Sequence, residues 1–346
     1  TFPWELHQKA GALGMFGMGI DEKYGGIGRD NEDAFMRAWS SIEFGKAAAG
    51  GVVASLGSRN IMTGPLQALA SEDILDLALE DIVTGRKGGA LGITEPGGGS
   101  DVANMKTKAH KDGNHFVLNG SKTFITGGMN ASYFVIGART ADAGLKGISL
   151  FFVEADTEGF SRTPIERKMG WWASDTAELF FEDCLVPVEN LIGEENQGFQ
   201  VITSNFQAER IAIAVLANTT SEMALEASIE YVQQREAFGK TLSGFQVTRH
   251  KLAEMATQLE ISKEFTYRIA SQVDAGGFAF KEVSMAKNFA TDVSDKITYD
   301  AVQIFGGMGF MRESLVERLY RDNRILSIGG GTREIMNEII SKQLGF

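Results

Sequence analysis

Cysteine is almost absent: Cys184 stands alone in 346 residues. One thiol excludes an internal disulfide framework and fits a reducing compartment. The four histidines, His7, His110, His115 and His250, form no zinc spacing with a single cysteine, and no H-E-x-x-H segment occurs. His110 and His115 fall in a stretch that reads as a hairpin, so they are expected as solvated strand residues, and no metal is expected. No apolar run approaches the roughly 20 residues of a membrane span. The chain opens Thr1-Phe2-Pro3-Trp4-Glu5, without the charged and apolar regions of a signal peptide. Basic residues are also short: 33 Lys+Arg against 45 Asp+Glu leave a formal net charge of −12, which argues against nucleic acid as the main partner. Five prolines against 41 glycines permit long helices joined by glycine-rich loops.

What is present divides the chain into three parts: helical 1–88, β 89–185 and helical 186–346. Ile42 to Ala54 is small and apolar, and Ser71-Glu72-Asp73-Ile74 has an N-cap serine with an acidic first turn. The runs Lys106 to Ala109, His115 to Leu118, Ser132 to Ala138, Ile148 to Val153 and Ala177 to Glu182 are rich in β-branched or aromatic residues. With Asp112-Gly113 and Asn119-Gly120 between or beside them, they predict a small antiparallel β-domain. From about Gln197 the 3.6-residue period takes over. It runs through Ile202, Phe206, Ile213, Leu216, Met223 and Ile229, then Leu252, Met255, Leu259 and Ile269, then Val283, Ala286, Ala290, Val293, Ile297 and Ile304. Gly276-Gly277 and Gly306-Gly307 are placed to end two of these helices. The fold class is α+β, mostly α, with a helical N-terminal domain, a central antiparallel β-domain and a C-terminal four-helix bundle.

Several motifs fail on inspection. Gly11, Gly14 and Gly17 follow no strand, so they make no dinucleotide fingerprint. Phe238-Gly239-Lys240-Thr241 imitates the end of a phosphate loop, but Gln234 occupies the required glycine position. Two loops remain. Ile93 to Asp101 holds Gly97-Gly98-Gly99, whose N–H groups suit a phosphate or a flat ring, or simply a tight connection. Ile328 to Glu334 holds Gly329-Gly330-Gly331 before a final helix, with Thr332 as a cap and N–H groups suited to an anion or carbonyl. The most informative residue is Glu209, seven after Ile202, three after Phe206, four before Ile213 and seven before Leu216. A carboxylate on that stripe faces the interior, where burial raises its pKa toward proton abstraction; a structural ion pair is the other reading.

Taken together, five ordered segments resemble the acyl-CoA dehydrogenase family: Tyr24-Gly25-Gly26, Leu91 to Asp101, Asn119 to Thr126, Arg235 to Lys240, and Gln303 to Gly309. The likeness runs from about residue 11 to 343, and the family's first helix is expected to be missing from the chain. The resemblance implies FAD, acyl-CoA as substrate, an electron-transferring flavoprotein as electron acceptor, and a homotetramer built as a dimer of dimers. A cytoplasmic location in a bacterium, or alternatively the mitochondrial matrix, goes with it. By position, Leu91, Ile93, Thr94 and Ser100 would line the flavin, with Phe124, Ile125 and Thr126 at its other side. Ser100 and Arg210 would also meet the acyl-CoA. Arg235, Phe238, Gln246, Gln303, Ile304, Phe305, Gly306 and Gly307 resemble the segments that hold the adenosine and pyrophosphate end across a subunit boundary, and Thr332 and Glu334 join the cofactor set. Arg235 has a physical reason, since a guanidinium matches phosphate oxygens in a fork.

Two departures matter. Phe124 stands where many members have tryptophan. Gly330 stands where medium-chain-type members carry the catalytic glutamate, whereas isovaleryl- and long-chain-type members place the base immediately before an arginine on the bundle helix, as in Glu209-Arg210. The implied reaction is α,β-dehydrogenation of a fatty acyl thioester to a trans-2-enoyl-CoA. Glu209 takes the α-proton, and the Gly330 N–H stabilises the developing enolate. The alternatives are a flavin oxidase or monooxygenase on the same scaffold, and a non-enzymatic flavin-bearing binding protein. Trp171-Trp172 would either border the acyl tunnel or pack the β-domain.

Overall fold

The computed structural model describes residues 2–28, 34–275, 277 and 279–346. In chain order the helices and strands are α1 (Trp4–Ala12), α2 (Ala34–Lys46), α3 (Gly50–Leu69), α4 (Glu72–Val83), β1 (Gly88–Gly92), β2 (Lys108–Asp112), β3 (His115–Thr126), β4 (Ala131–Arg139), β5 (Ile148–Glu154), β6 (Phe160–Pro164), β7 (Thr176–Pro187), β8 (Leu191–Ile192), α5 (Gly198–Gln234), β9 (Glu236–Ala237), β10 (Lys240–Thr241), α6 (Gln246–Asp274), α7 (Phe280–Phe305), α8 (Leu315–Asn323) and α9 (Arg333–Leu344). They form two compact units, one of residues 1–32, 51–168 and 172–206, the other of 33–50, 169–171 and 207–346. The fold is the expected one: N-terminal helices, a central sheet and C-terminal helices.

In the first unit an eight-stranded sheet runs β6-β7-β3-β2-β4-β5-β8, with β1 added on β4. Its pairings are antiparallel except that β1, and one residue of β2, lie parallel to β4. A parallel partner needs a crossover, and the long segment between β1 and β4 supplies it, so no hairpin signal marks this strand. Asp112-Gly113 does form the β2–β3 turn, with Gly113 at φ 57°. Asn119-Gly120 lies inside β3, where the register against β7 slips between Leu118 and Gly120: the pair makes a bulge and not a turn. Strand alternation separates two apolar layers. Phe116, Leu118, Phe134, Ile136, Phe151 and Phe181 make one. Tyr133, Val135, Leu150 and Phe152 pack with Met62 and Leu66 of α3 and Ile74, Ala78 and Ile82 of α4. A Cβ on Gly89 would stand 2.5 Å from Met62 Cε, so glycine lets α3 approach β1. Ser71 is the N-cap residue of α4, and Glu72 and Asp73 occupy its first turn.

The second unit packs α6 on α7, and α8 and α9 on α7. Val283, Ala286, Ala290, Val293 and Ile297 are all buried along α7, as their period demands. Gly306, at φ 59°, ends α7. Gly276 lies outside the described residues, and α6 ends at Asp274. The segment from Ile42 to Ala54 is two helices, not one, broken near Ala48 at φ 50°. The first of them, α2, buries Ala38 and Ile42 against Val215 of α5. A Cβ on Gly45 would lie 2.9 Å from Thr219 Cγ2 and 3.1 Å from Leu216 Cδ1.

Candidate active site

On the sheet, the two segments picked out for a flat ring lie side by side. Thr123 N–H donates to the Thr94 carbonyl at 2.9 Å, and Lys122 Nζ donates to the Ile93 carbonyl at 3.2 Å. Beneath them Glu95 turns inward. Its carboxylate accepts from Lys106 N (2.6 Å), Thr107 N (2.9 Å) and Lys122 Nζ (2.8 Å). Burial pushes the Lys122 ammonium down to about 8, with Glu95 opposing. Burial works against the Glu95 carboxylate too, but Lys122 and the two N–H donors hold it below its ordinary range. Removing one partner would strand a buried charge, so the pair fixes the loop.

Above this anchor the register of β3 against β7 slips again between Lys122 and Ile125, and Phe124 takes φ 58°. A left-handed phenylalanine is a strained choice, and here the strain accompanies a ring 67% exposed to solvent. Thr94 and Thr126 are half-buried and Ser100 exposed, whereas Ile93 and Ile125 send their side chains into the core and offer only backbone. Leu91 is half-buried on β1. Gly97, with open space about it, presents its backbone. An outward-facing aromatic ring beside paired loop backbones and free hydroxyls fits the isoalloxazine of a flavin.

In the second unit the Gly329-Gly330-Gly331 turn is held from two helices. Arg210 Nε on α5 donates to the Gly330 carbonyl at 3.0 Å, and Lys287 Nζ on α7 donates to the Gly331 carbonyl at 2.5 Å. Gly330 and Gly331 take φ 65° and 97°, and Thr332 caps α9 by accepting from Ile335 N. A Cβ on Gly330 would point at Glu209, 3.7 Å from Oε1, and would meet Ile213 Cδ1 at 2.7 Å. Glu209 is half-buried as a residue, but its carboxylate Oε2 is cut off from solvent and has no hydrogen-bond partner. Burial raises its pKa, while the charges of Arg210 and Lys287 oppose. This is a desolvated carboxyl facing a turn without side chains. Glu334 is exposed on the first turn of α9, where backbone and Thr332 hydrogen bonds hold its pKa down.

The remaining candidates surround the ends of α5 and α7. Tyr231 stacks on Phe305 at 4.1 Å and its hydroxyl donates to the Phe305 carbonyl, which brings the exposed Arg235 turn near Phe305-Gly306-Gly307. Phe238-Gly239 is the two-residue turn between β9 and β10, both residues at positive φ as a type I′ hairpin requires. Phe238 is 97% exposed. Gln246 opens α6, exposed beside His250; Gln303 is exposed and Ile304 half-buried. Trp171 packs in the bundle and not in the β-domain: it joins Ala214, Ala217, Ala290 and Leu326, with its backbone N–H donating to Asp322 Oδ1 at 2.7 Å. Trp172 is largely exposed. Sequence reasoning passed over Lys287, although it follows Val283 by four and precedes Ala290 by three, the same stripe argument that singled out Glu209.

Comparison with known proteins adds three consecutive family matches: acyl-CoA dehydrogenase N-terminal domain over 1–86, middle domain over 90–184 and C-terminal domain over 196–345. An acyl-CoA dehydrogenase of Bacillus subtilis is 39% identical over 99% of this chain and 90% of its own length. A mitochondrial long-chain specific acyl-CoA dehydrogenase of Sus scrofa is 38% identical over 98% and 79%. The crystal structure of a probable acyl-CoA dehydrogenase from Mycobacterium abscessus superposes with a TM-score of 0.96 at 44% identity, over 99% of this chain and 91% of that one. Other similar proteins bear different names, among them a subunit of a caffeyl-CoA reductase–Etf complex and a prolyl acyl carrier protein oxidase.

Proposed function

The chain belongs to the acyl-CoA dehydrogenase family of FAD-dependent oxidoreductases, and from that premise we propose that Glu209 is the base that removes the α-proton of a fatty acyl-CoA to give a trans-2-enoyl-CoA. The observation that carries this reading is the unpartnered, solvent-free Oε2 of Glu209 opposite Gly330. A thioester α-proton is far too weak an acid for a hydrated carboxylate, so the base must be desolvated and the enolate stabilised. The Gly330 N–H is the donor for the thioester oxygen. Arg210 serves the substrate by holding the Gly330 carbonyl, on the peptide group that follows that N–H, and so restrains the turn. FAD, when bound, takes up the hydride that leaves the β-carbon.

In this proposal Leu91, Ile93, Thr94, Ser100, Phe124, Ile125 and Thr126 hold the flavin ring, with Ser100 also on the acyl-CoA. Arg235, Phe238, Gln246 and Gln303 to Gly307, joined by Thr332 and Glu334, hold the nucleotide end across a subunit boundary. The three-domain division at 88/89 and 185/186 belongs to the same reading. Exposed Met308, Phe310 and Met311 follow directly on Gly307, which supports a homo-oligomer, proposed as a dimer of dimers. The proposed electron acceptor is an electron-transferring flavoprotein and the proposed compartment a bacterial cytoplasm. No helix among the described residues is long and apolar enough to cross a membrane.

The deciding experiment is anaerobic stopped-flow reduction of the holoenzyme by butyryl-, isobutyryl-, isovaleryl-, octanoyl- and palmitoyl-CoA, for wild type and Glu209→Gln. Glutamine keeps the shape but cannot accept the proton, so reduction should fall about 10²–10⁴-fold while acyl-CoA still binds. Wild-type reduction by Glu209→Gln would overturn the assignment. Reoxidation rates with oxygen and with the flavoprotein separate dehydrogenase from oxidase.

A further inference from the structure

Lys287 is a buried cation that the mechanism above does not use. Lys287 is fully buried on α7, and its ammonium is spent on a single carbonyl, that of Gly331. A buried lysine is costly, and replacing it by a nonpolar side chain of similar length would relieve that cost unless the charge acts on something. The charged groups acting on it come from two other elements: Glu209 and Arg210 on α5, and Arg333 at the start of α9, which pairs with Asp292 of α7. With Arg333 engaged by Asp292 and Arg210 donating to Gly330, Glu209 is the acidic group left for Lys287 to act on.

Resting on the assignment of Glu209 as base, we propose that Lys287 is a positioning residue for proton abstraction: it pins the Gly331 carbonyl, thereby restraining the glycine turn that carries the Gly330 N–H, and sets a fixed positive charge near the Glu209 carboxylate. The peptide groups on either side of Gly331 are held, through the Gly330 and Gly331 carbonyls, by two cations from different helices, so the turn has little freedom to rotate about Gly331. Gly330 and Gly331, at φ 65° and 97° and without side chains, would otherwise be free to rotate. The positive charge also works on the base. Burial alone favours the protonated, inactive carboxyl, and Lys287 with Arg210 opposes it. Removing the ammonium raises the carboxyl pKa further, so the acid limb of the rate profile must move to higher pH.

The test compares Lys287→Met, Lys287→Gln and Lys287→Arg holoenzymes. Flavin reduction is followed across pH with the acyl-CoA that wild type uses fastest, and binding of that acyl-CoA is measured calorimetrically. Infrared difference spectra read the carboxyl band that disappears in Glu209→Gln. Lys287→Met should reduce its flavin about 10–100-fold more slowly at neutral pH, with the acid limb and the carboxyl band displaced about one pH unit upward and FAD content unchanged. Lys287→Arg should restore the wild-type limb. Should Lys287→Met not fold, Lys287→Gln, which keeps a donor and loses the charge, must still move the limb. An unmoved limb and band in whichever of these variants folds would overturn the proposal, as would a rate loss that follows loss of FAD. Glu209→Gln distinguishes the two levels: if it reduces its flavin normally the base is wrong, whereas if it fails and Lys287→Met behaves as wild type, the base stands and Lys287 has no such role.

Discussion

Gly330 and Glu209 share one small volume, and their backbones reach it from a turn and a helix. A side chain at 330 would start 3.7 Å from the Glu209 carboxylate, so a Gly330→Glu, Glu209→Gly double variant should recover part of the flavin reduction that Glu209→Gly loses. Recovery no better than Glu209→Gly alone would show that the direction is wrong. Gly330→Ala should slow reduction and cost about 1–3 kcal/mol in urea unfolding, because alanine at φ 65° is strained and its Cβ meets Ile213. The buried Glu209 carboxyl has its own stability signature. The pKa of Glu209 is raised, so between its unfolded value and its folded value the native state binds more protons, and native stability falls as pH rises through that window. Glu209→Gln lacks this penalty. Its melting temperature, compared with wild type from about pH 4.5 to about pH 8, should gain on wild type as pH rises.

Element packing rests on close approaches that glycine permits. Gly45 lets α2 lie against Thr219 and Leu216 of α5, and Gly45→Leu would overpack that contact at about 1–3 kcal/mol. Denaturant melts should show the loss; an unchanged midpoint would mean that α2 moves freely off α5. The sheet offers the contrasting case. The bulge at Thr123-Phe124 interrupts the β3–β7 ladder where Phe124 turns out to solvent, and the buried Glu95–Lys122 pair between the adjoining loop and β3 keeps the backbone there in place. Lys122→Met with Glu95 intact would leave a buried carboxylate unpaired, and the loop, rather than the strand, should lose hydrogen-exchange protection first.

At the scale of the molecule, the cofactor is a stabiliser of the native state. FAD bound at about 100 times its Kd adds about 2.7 kcal/mol, so deflavinated protein should melt a few degrees below holoenzyme. Arg235→Ala, at the exposed turn proposed to hold the nucleotide, should lower FAD retention and reduce that difference without altering the melt of the deflavinated form. Should the nucleotide end be held across a subunit boundary, dilution to monomer in light scattering must release FAD together with the oligomer. A monomer that keeps stoichiometric FAD would contradict that arrangement.

The sequence by itself determined whatever is written in local periodicity. The 3.6 repeat laid out α5, α6 and α7, alternation laid out the main strands, and a carboxylate at the wrong point of an apolar stripe marked Glu209. Asp112-Gly113 and Thr332 acted as their local chemistry requires. Tertiary structure decided what depends on partners distant in the chain. Asn119-Gly120 became a bulge because β7 pairs on both sides of it, and β1 escaped notice because its partner, β4, lies some forty residues on. Trp171 left the β-domain for the bundle because Asp322 and the cluster around Ala290 receive it. Lys287 shows the boundary most clearly. Its place on the stripe was legible, but the carbonyl that makes its burial tolerable belongs to Gly331, 44 residues later, and only folding puts the two within a hydrogen bond.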